Sequence, residues 1–207
     1  MVRNKRENLC IAYVDSETKS GATTARELAK RLRPGKHGST SEIIKWMRAH
    51  YNKDPLVVVV DDFAGTGDTL VGGLKGFHDL IVSEGLGDAY LKQRRVLCCL
   101  LYAFPEALDE VKGGYRNVEC LAMNVFGDEL RSLDSGAGIF ENEDEMRFAG
   151  EFLIQIGREL APQMPLGYGD LGALVSFHNS TPNNTLPIFW SGGTVNGKPW
   201  RPLFPRG

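Results

Sequence analysis

A run of four valines ending in two aspartates, within "DPLVVVVDDFAGTGDTLVGGLKGF" from Asp54 to Phe77, constrains this chain more than any other stretch. The β-branched run Leu56–Val60 has no polar side to offer water, so it suits a strand covered on both faces, the kind found inside a parallel sheet. Asp61 and Asp62 follow, then a Gly/Thr loop, then Leu70, Leu74, Phe77 and Ile81 at helical spacing, which predicts a helix from about Thr69 to Ser83. Parallel strands require crossovers, usually helical, and the rest of the chain supplies them. "LCIAYV" (Leu9–Val14), "RRVLCCLLYAF", "VECLAMNVF" and a late "ALVSFH" read as strands. "ATTARELAKRL", "STSEIIKWMRAHY" (capped by Thr40 or Ser41), "PEALDEVKG" and "NEDEMRFAGEFLIQIGRELA" read as helices. "RPGKHG" (Arg33–Gly38) reads as a mobile break, and the Pro-, Gly- and Asn-rich tail as an irregular ordered loop. The expected fold is α/β, a mostly parallel sheet with helices on both faces. We expect one domain over residues 1–207, with a core of about 9–132 and a helix, strand and tail over 133–207.

Composition narrows the function classes. With 207 residues and a net charge of −2, nothing predicts wholesale attraction to nucleic acid or an acidic membrane. "RELAKRLRPGK" carries five cations, which leaves local nucleic-acid contact open but reads first as a solvated helix face. "MVRNKRENLC" has no apolar core of a secretion signal, and no run approaches the roughly 20 apolar residues of a membrane span. Cys10, Cys98, Cys99 and Cys120 lie in apolar runs without metal-ligand spacing and read as small buried hydrophobes of a cytoplasmic protein.

In an open parallel sheet, ligands sit beyond the carboxyl ends of the strands, where Asp61–Thr69 falls. The helix after the loop offers backbone N–H groups and a positive dipole end. Gly65, Thr66, Gly67 and Thr69 allow the backbone to wrap a phosphate and add hydroxyl donors. Paired carboxylates accept hydrogen bonds from vicinal sugar hydroxyls and hold Mg²⁺. Together these describe a ribose 5-phosphate site. Two other motifs compete. The Mg²⁺-holding strand of phosphate-loop NTPases needs a G-x-x-x-x-G-K-[ST] element that the chain lacks. "GYGDLG" (Gly167–Gly172) has the letters of a dinucleotide loop but precedes a predicted strand instead of following one.

"VVVVDD" followed by "TGDT" resembles the phosphoribosyl-diphosphate (PRPP) motif of type I phosphoribosyltransferases, whose core is Rossmann-like. Phe63 departs from that motif, being bulky where Ile, Val or Ser is usual. The resemblance implies that Asp61 and Asp62 hold the ribose hydroxyls and a PRPP-borne Mg²⁺. It assigns Ala64, Gly65, Thr66, Gly67, Asp68 and Thr69 to the 5-phosphate, with the Asp68 side chain turned away from it. It places Lys19, Ser20 and Gly21 at the pyrophosphate, Lys19 as a catalytic cation, and makes "RPGKHG" the counterpart of a closing loop with Arg33, Lys36 and His37 as further candidates. The C-terminal third resembles a divergent stand-alone branch associated with bacterial antiphage and retron systems. In this fold Asn183, Asn184, Phe189 and Trp190 are candidates to hold a base; pinning the tail to the core is the alternative for the aromatics, including Trp200, and His178 reads as structural. The implied reaction is transfer of phosphoribose to a nitrogen acceptor with release of pyrophosphate. A non-catalytic nucleotide or PRPP sensor in a larger complex, or chemistry on a nucleotide such as NAD, are the other readings. Because the first strand starts near the beginning of the chain, a base-covering hood is expected from elsewhere, and with it a homodimer or a partner chain.

Overall fold

The computed structural model describes residues 6–14, 20–50, 55–86, 95–115, 118–178 and 180–206. The chain divides into two compact units, Met1–Val125 and Phe126–Gly207. Among the described residues no helix is long and apolar enough to cross a membrane.

The first unit alternates strands and helices: β1 (Leu9–Tyr13), α1 (Ser20–Leu32), β2 (Lys36–Ser39), α2 (Thr40–Ala49), β3 (Leu56–Ala64), α3 (Asp68–Ser83), β4 (Val96–Ala103), α4 (Pro105–Gly114) and β5 (Glu119–Val125). The five strands form one parallel sheet in the order β2-β1-β3-β4-β5. Val57, Val58, Val59 and Val60 are each at most 7% exposed, as a strand buried on both faces requires. Ile11, Val58 and Val60 pack with Ala22, Ala25 and Ala29 of α1. The opposite face packs Val57, Val59 and Cys98 with Ile43, Ile44 and Met47 of α2, Leu70, Leu74, Phe77 and Ile81 of α3, and Ala107 and Val111 of α4. Right-handed crossovers explain the split. The chain steps one way from β1 to β2 and the other way at every later crossover, so among the described helices of this unit α1 lies on one face and α2, α3 and α4 on the other. All four cysteines are free thiols. Burial pushes the Cys10 thiol up to about 12, so it remains a protonated, apolar group.

Two readings of this unit are corrected. Part of "RPGKHG" is ordered edge strand and not a mobile loop: β2 pairs with β1 from Cys10–Lys36 to Tyr13–Ser39. Pro34 and Gly35 end α1, and a four-residue edge strand needs no long apolar run. The cap of α2 is Ser39, neither Thr40 nor Ser41. Its side chain accepts from Glu42 N, while Glu42 Oε2 accepts from Ser39 N at 2.9 Å, closing a capping box.

The second unit is built on α5 (Glu143–Leu160), capped by Asn142, whose Oδ1 accepts from Glu145 N at 3.0 Å. Ile156 and Leu160 pack with Val195, and Ile188 and Trp200 lie against them. A short helix α6 (Pro187–Trp190) leads into the hairpin β6 (Gly193–Val195) and β7 (Lys198–Trp200). Asn196 and Gly197 take φ of 49° and 74° between those strands, the backbone an Asn-Gly hairpin turn demands. "ALVSFH" is not a strand. Only Ala173 makes isolated bridges, to Arg131 and Thr185, and the segment runs on as irregular chain. Four apolar letters in six suggested a strand; here they fill gaps between loops and extend no ladder.

Candidate functional site

The sheet order places a topological switch point between β1 and β3, whose following helices leave toward opposite faces. In such sheets the crevice beyond the strands' carboxyl ends receives ligands. β3 is longer than its apolar run implies: it continues through Asp61, Asp62, Phe63 and Ala64, pairing Asp61 with Leu100, Phe63 with Tyr102 and Ala64 with Ala103. The two acids therefore belong to the strand itself.

Both carboxylates meet the first turn of α1. Ser20 Oγ donates to Asp62 Oδ1 at 2.7 Å. A Cβ built on Gly21 would stand 2.7 Å from Asp61 Oδ1, so a side chain there would require that carboxylate to shift, and glycine lets α1 start against it. Asp61 Oδ1 also accepts from Asp62 N at 2.9 Å. Ser20 and Gly21 thus lie against the acids, and Asp61 and Asp62 are half-buried instead of turned into bulk water. Lys19 lies outside the described residues.

The loop after β3 leads into the first turn of α3. Ala64, Gly65 and Gly67 are buried and Thr66 is half-buried, whereas Asp68 and Thr69 are exposed. Gly67 is the N-cap of α3 at φ 91°, a left-handed conformation, and supplies no side-chain cap. Its added Cβ would lie 2.9 Å from Ala107 Cα, so glycine is required by backbone and packing together. Gly73, one turn into α3, lets the helix approach Val14 at the end of β1, where a Cβ would fall 2.2 Å from Val14 Cβ. The first turn of α3 therefore sits close to the switch point with its amides uncapped by any side chain. Asp68 does not stand clear of the loop: Thr66 Oγ1 donates to its Oδ2 at 2.8 Å. An incoming phosphate would meet a carboxylate holding one of its hydroxyl donors.

Other candidates lie elsewhere. Lys36 begins β2, and its Nζ donates to Glu42 Oε1 at 3.1 Å. The Ser39 N–H, then that ammonium, hold the Glu42 carboxyl below its ordinary value. Lys36 is therefore engaged in the start of α2. Arg33 and His37 are exposed, Arg33 at φ 52° just past α1. Trp190 belongs to the second unit, where its Nε1 donates to Thr185 O at 2.7 Å and the Arg206 guanidinium lies 5.3 Å from its ring centroid. There Asn184 Nδ2 donates to Tyr168 O at 3.0 Å, Asn183 O accepts from Tyr168 N at 2.8 Å, and Trp200 Nε1 donates to Ile188 O at 3.0 Å. Phe189 lies 6.5 Å from Phe204, ring centre to ring centre. His178 is exposed. These contacts support the tail-pinning role for the indoles.

Among the described residues no group of three or more His, Cys, Asp or Glu is placed to hold a metal. Two half-buried carboxylates suit a Mg²⁺ that arrives on a diphosphate, whose oxygens and waters complete its shell.

Comparison with known proteins gives a family and similar solved structures. The PRTase-CE family model matches residues 1–206. The crystal structure of TT1426 from Thermus thermophilus is similar at 16% sequence identity and a TM-score of 0.39, covering 59% of this chain and 76% of that one. No curated protein matches the chain.

Proposed function

The chain belongs to the PRTase-CE family and is phosphoribosyltransferase-like; from that premise we propose that its first unit binds PRPP, or a ribose-5-phosphate nucleotide, at the β1/β3 switch point. The observation that carries this reading is the convergence of both carboxylates on the first turn of α1, next to a helix whose N-terminus has no side-chain cap. Asp61 and Asp62 would accept the ribose hydroxyls and share a substrate-borne Mg²⁺, and the amides of Gly65–Thr69 would take the 5-phosphate. A Mg²⁺ held by Asp61 and Asp62 would supply positive charge against the leaving diphosphate.

In the transfer reading, a nitrogen lone pair forms a bond to ribose C1 as the C1–O bond to diphosphate breaks, and the acceptor then loses its proton. Positive charge grows on the sugar ring. The neighbouring carboxylates stabilise it, and the site contributes mainly through positioning and fixed charge. No side chain needs to attack.

One observation favours the second reading, a nucleotide or PRPP sensor without turnover. Lys36, a cation the resemblance assigned to pyrophosphate, is paired with Glu42. The setting implied by the resemblance is a bacterial defence effector for the transferase, and a larger, retron-type complex for the sensor. Calorimetry with PRPP and Mg²⁺, followed by a pyrophosphate-release assay over a panel of bases and nucleotides, separates these outcomes. Binding with release supports the transferase, and binding without release the sensor. No binding to the wild-type chain overturns both.

A further inference from the structure

The sheet ends in two edge strands, β2 and β5, and they are guarded differently. An edge presents a row of unpaired backbone N–H and C=O groups, which natural proteins blunt with short strands, lysine, proline or a cover. β2 has four residues, Lys36 and His37 among them. β5 has seven, Glu119–Val125, with its only charge at the first position and neither lysine nor proline. It pairs with β4 along one side, and among the described residues no strand pairs with the other. Its side chains are bare as well: Leu121 is 49%, Met123 78% and Val125 53% exposed. Alternation puts these three on one face, the face on which α1 packs over β1 and β3. Leu101 of β4, 36% exposed, extends the patch.

We propose that the β5 edge pairs antiparallel with the β5 edge of a second copy of this chain, about a two-fold axis at Ala122, joining two five-stranded sheets edge to edge. Parity and charge single out this occupant. A two-fold axis normal to the sheet makes the meeting strands antiparallel and keeps each face on its own side, so residues of like parity meet. Centred on Ala122, all seven positions find a partner. Leu121 lies opposite the partner's Met123, and Glu119 opposite the partner's Val125. The two Glu119 carboxylates are then offset by six residues, about 20 Å along the strand, well beyond the screening length of about 8 Å. A second copy thus answers the open N–H and C=O row with its own, covers apolar side chains with apolar side chains and brings no like charges together. The inference stands apart from the ribose-phosphate reading of Asp61–Thr69.

Sedimentation velocity of the full chain across the micromolar range is the test. The wild type should pass from monomer to dimer with a Kd on the order of micromolar, as a small interface gives. Leu121→Lys and, separately, Met123→Glu should each weaken the dimer at least about tenfold. Both side chains are exposed in the single chain, so the melting temperature of the monomer should hold. The chain carrying both substitutions sets each new ammonium opposite the partner's new carboxylate, and should dimerise more tightly than either single variant. A wild type that stays monomeric throughout, as an edge reserved for a different protein would, overturns the proposal. So does a dimer indifferent to both single substitutions, or one that they weaken and the double variant does not recover.

Discussion

Helices α2 and α3 pack on the same face of one sheet and begin in opposite ways. At α2, Ser39 and Glu42 satisfy each other's backbone N–H groups, and Lys36 neutralises the glutamate. At α3 the cap is Gly67, which has no side chain to offer. A closed start serves stability; an open start leaves donors and dipole for something outside the chain. The same contrast separates α3 from α5, whose Asn142 also closes its own first turn. The lesson is that the candidate site lies where local stabilisation has been withheld.

The largest effect should come from closing the open start. Gly67→Ala adds a Cβ at a left-handed φ and 2.9 Å from Ala107 Cα. Strain and overpacking together should cost about 2–4 kcal/mol, read by urea denaturation. Asp62→Asn comes next. It keeps the shape but removes a charge that accepts from Ser20, and affinity for PRPP·Mg²⁺ should fall about 10–100-fold with little change in melting temperature. Ser39→Ala inverts that pattern: about 1 kcal/mol of stability lost at α2 with ligand affinity untouched. Acid should act on the same capping box. Glu42 titrates below its ordinary value in the folded chain, so its contribution is full above about pH 4.3 and is lost as pH falls through the lower folded value. Glu42→Gln should remove that part of the acid dependence. The smallest effect, and the sharpest in sign, is Asp68→Asn. Relieving like charge should tighten anion binding a few-fold, at a small cost to α3.

Much of the first unit was legible in the sequence because its signals are continuous. Four valines in a row, and Leu70, Leu74, Phe77 and Ile81 at helical spacing, leave little choice of partner. The motif's ends were less legible. β3 runs on through the acids because its hydrogen bonds to β4 continue regardless of side-chain polarity, so hydropathy ended the strand too early. β2 was missed because an edge strand of four residues, one of them Gly38, carries no apolar pattern. In the second unit α5 was legible, and the late segment and hairpin were not, for a different reason. Much of its order comes from hydrogen bonds between side chains and backbone, such as Thr185 Oγ1 to Val175 O at 2.5 Å and Ser191 Oγ to Leu160 O at 2.9 Å, which leave no periodicity. One signal there was available: Val-Asn-Gly-Lys spells the β6–β7 hairpin turn. Of the candidate site, the Gly/Thr loop and the acids were visible as a motif. The Ser20–Asp62 bond spans 42 positions, so it needed the fold.

The most direct test is a titration of the ¹⁵N-labelled chain with PRPP and Mg²⁺, followed amide by amide. Saturable shifts should centre on Ser20, Gly21 and the stretch from Gly65 to Leu70, with Ser39–Glu42 and Asn142–Glu145 essentially still. Shifts centred on the capped helix starts, or no saturable shift anywhere, would contradict a ribose-phosphate site at the β1/β3 switch point.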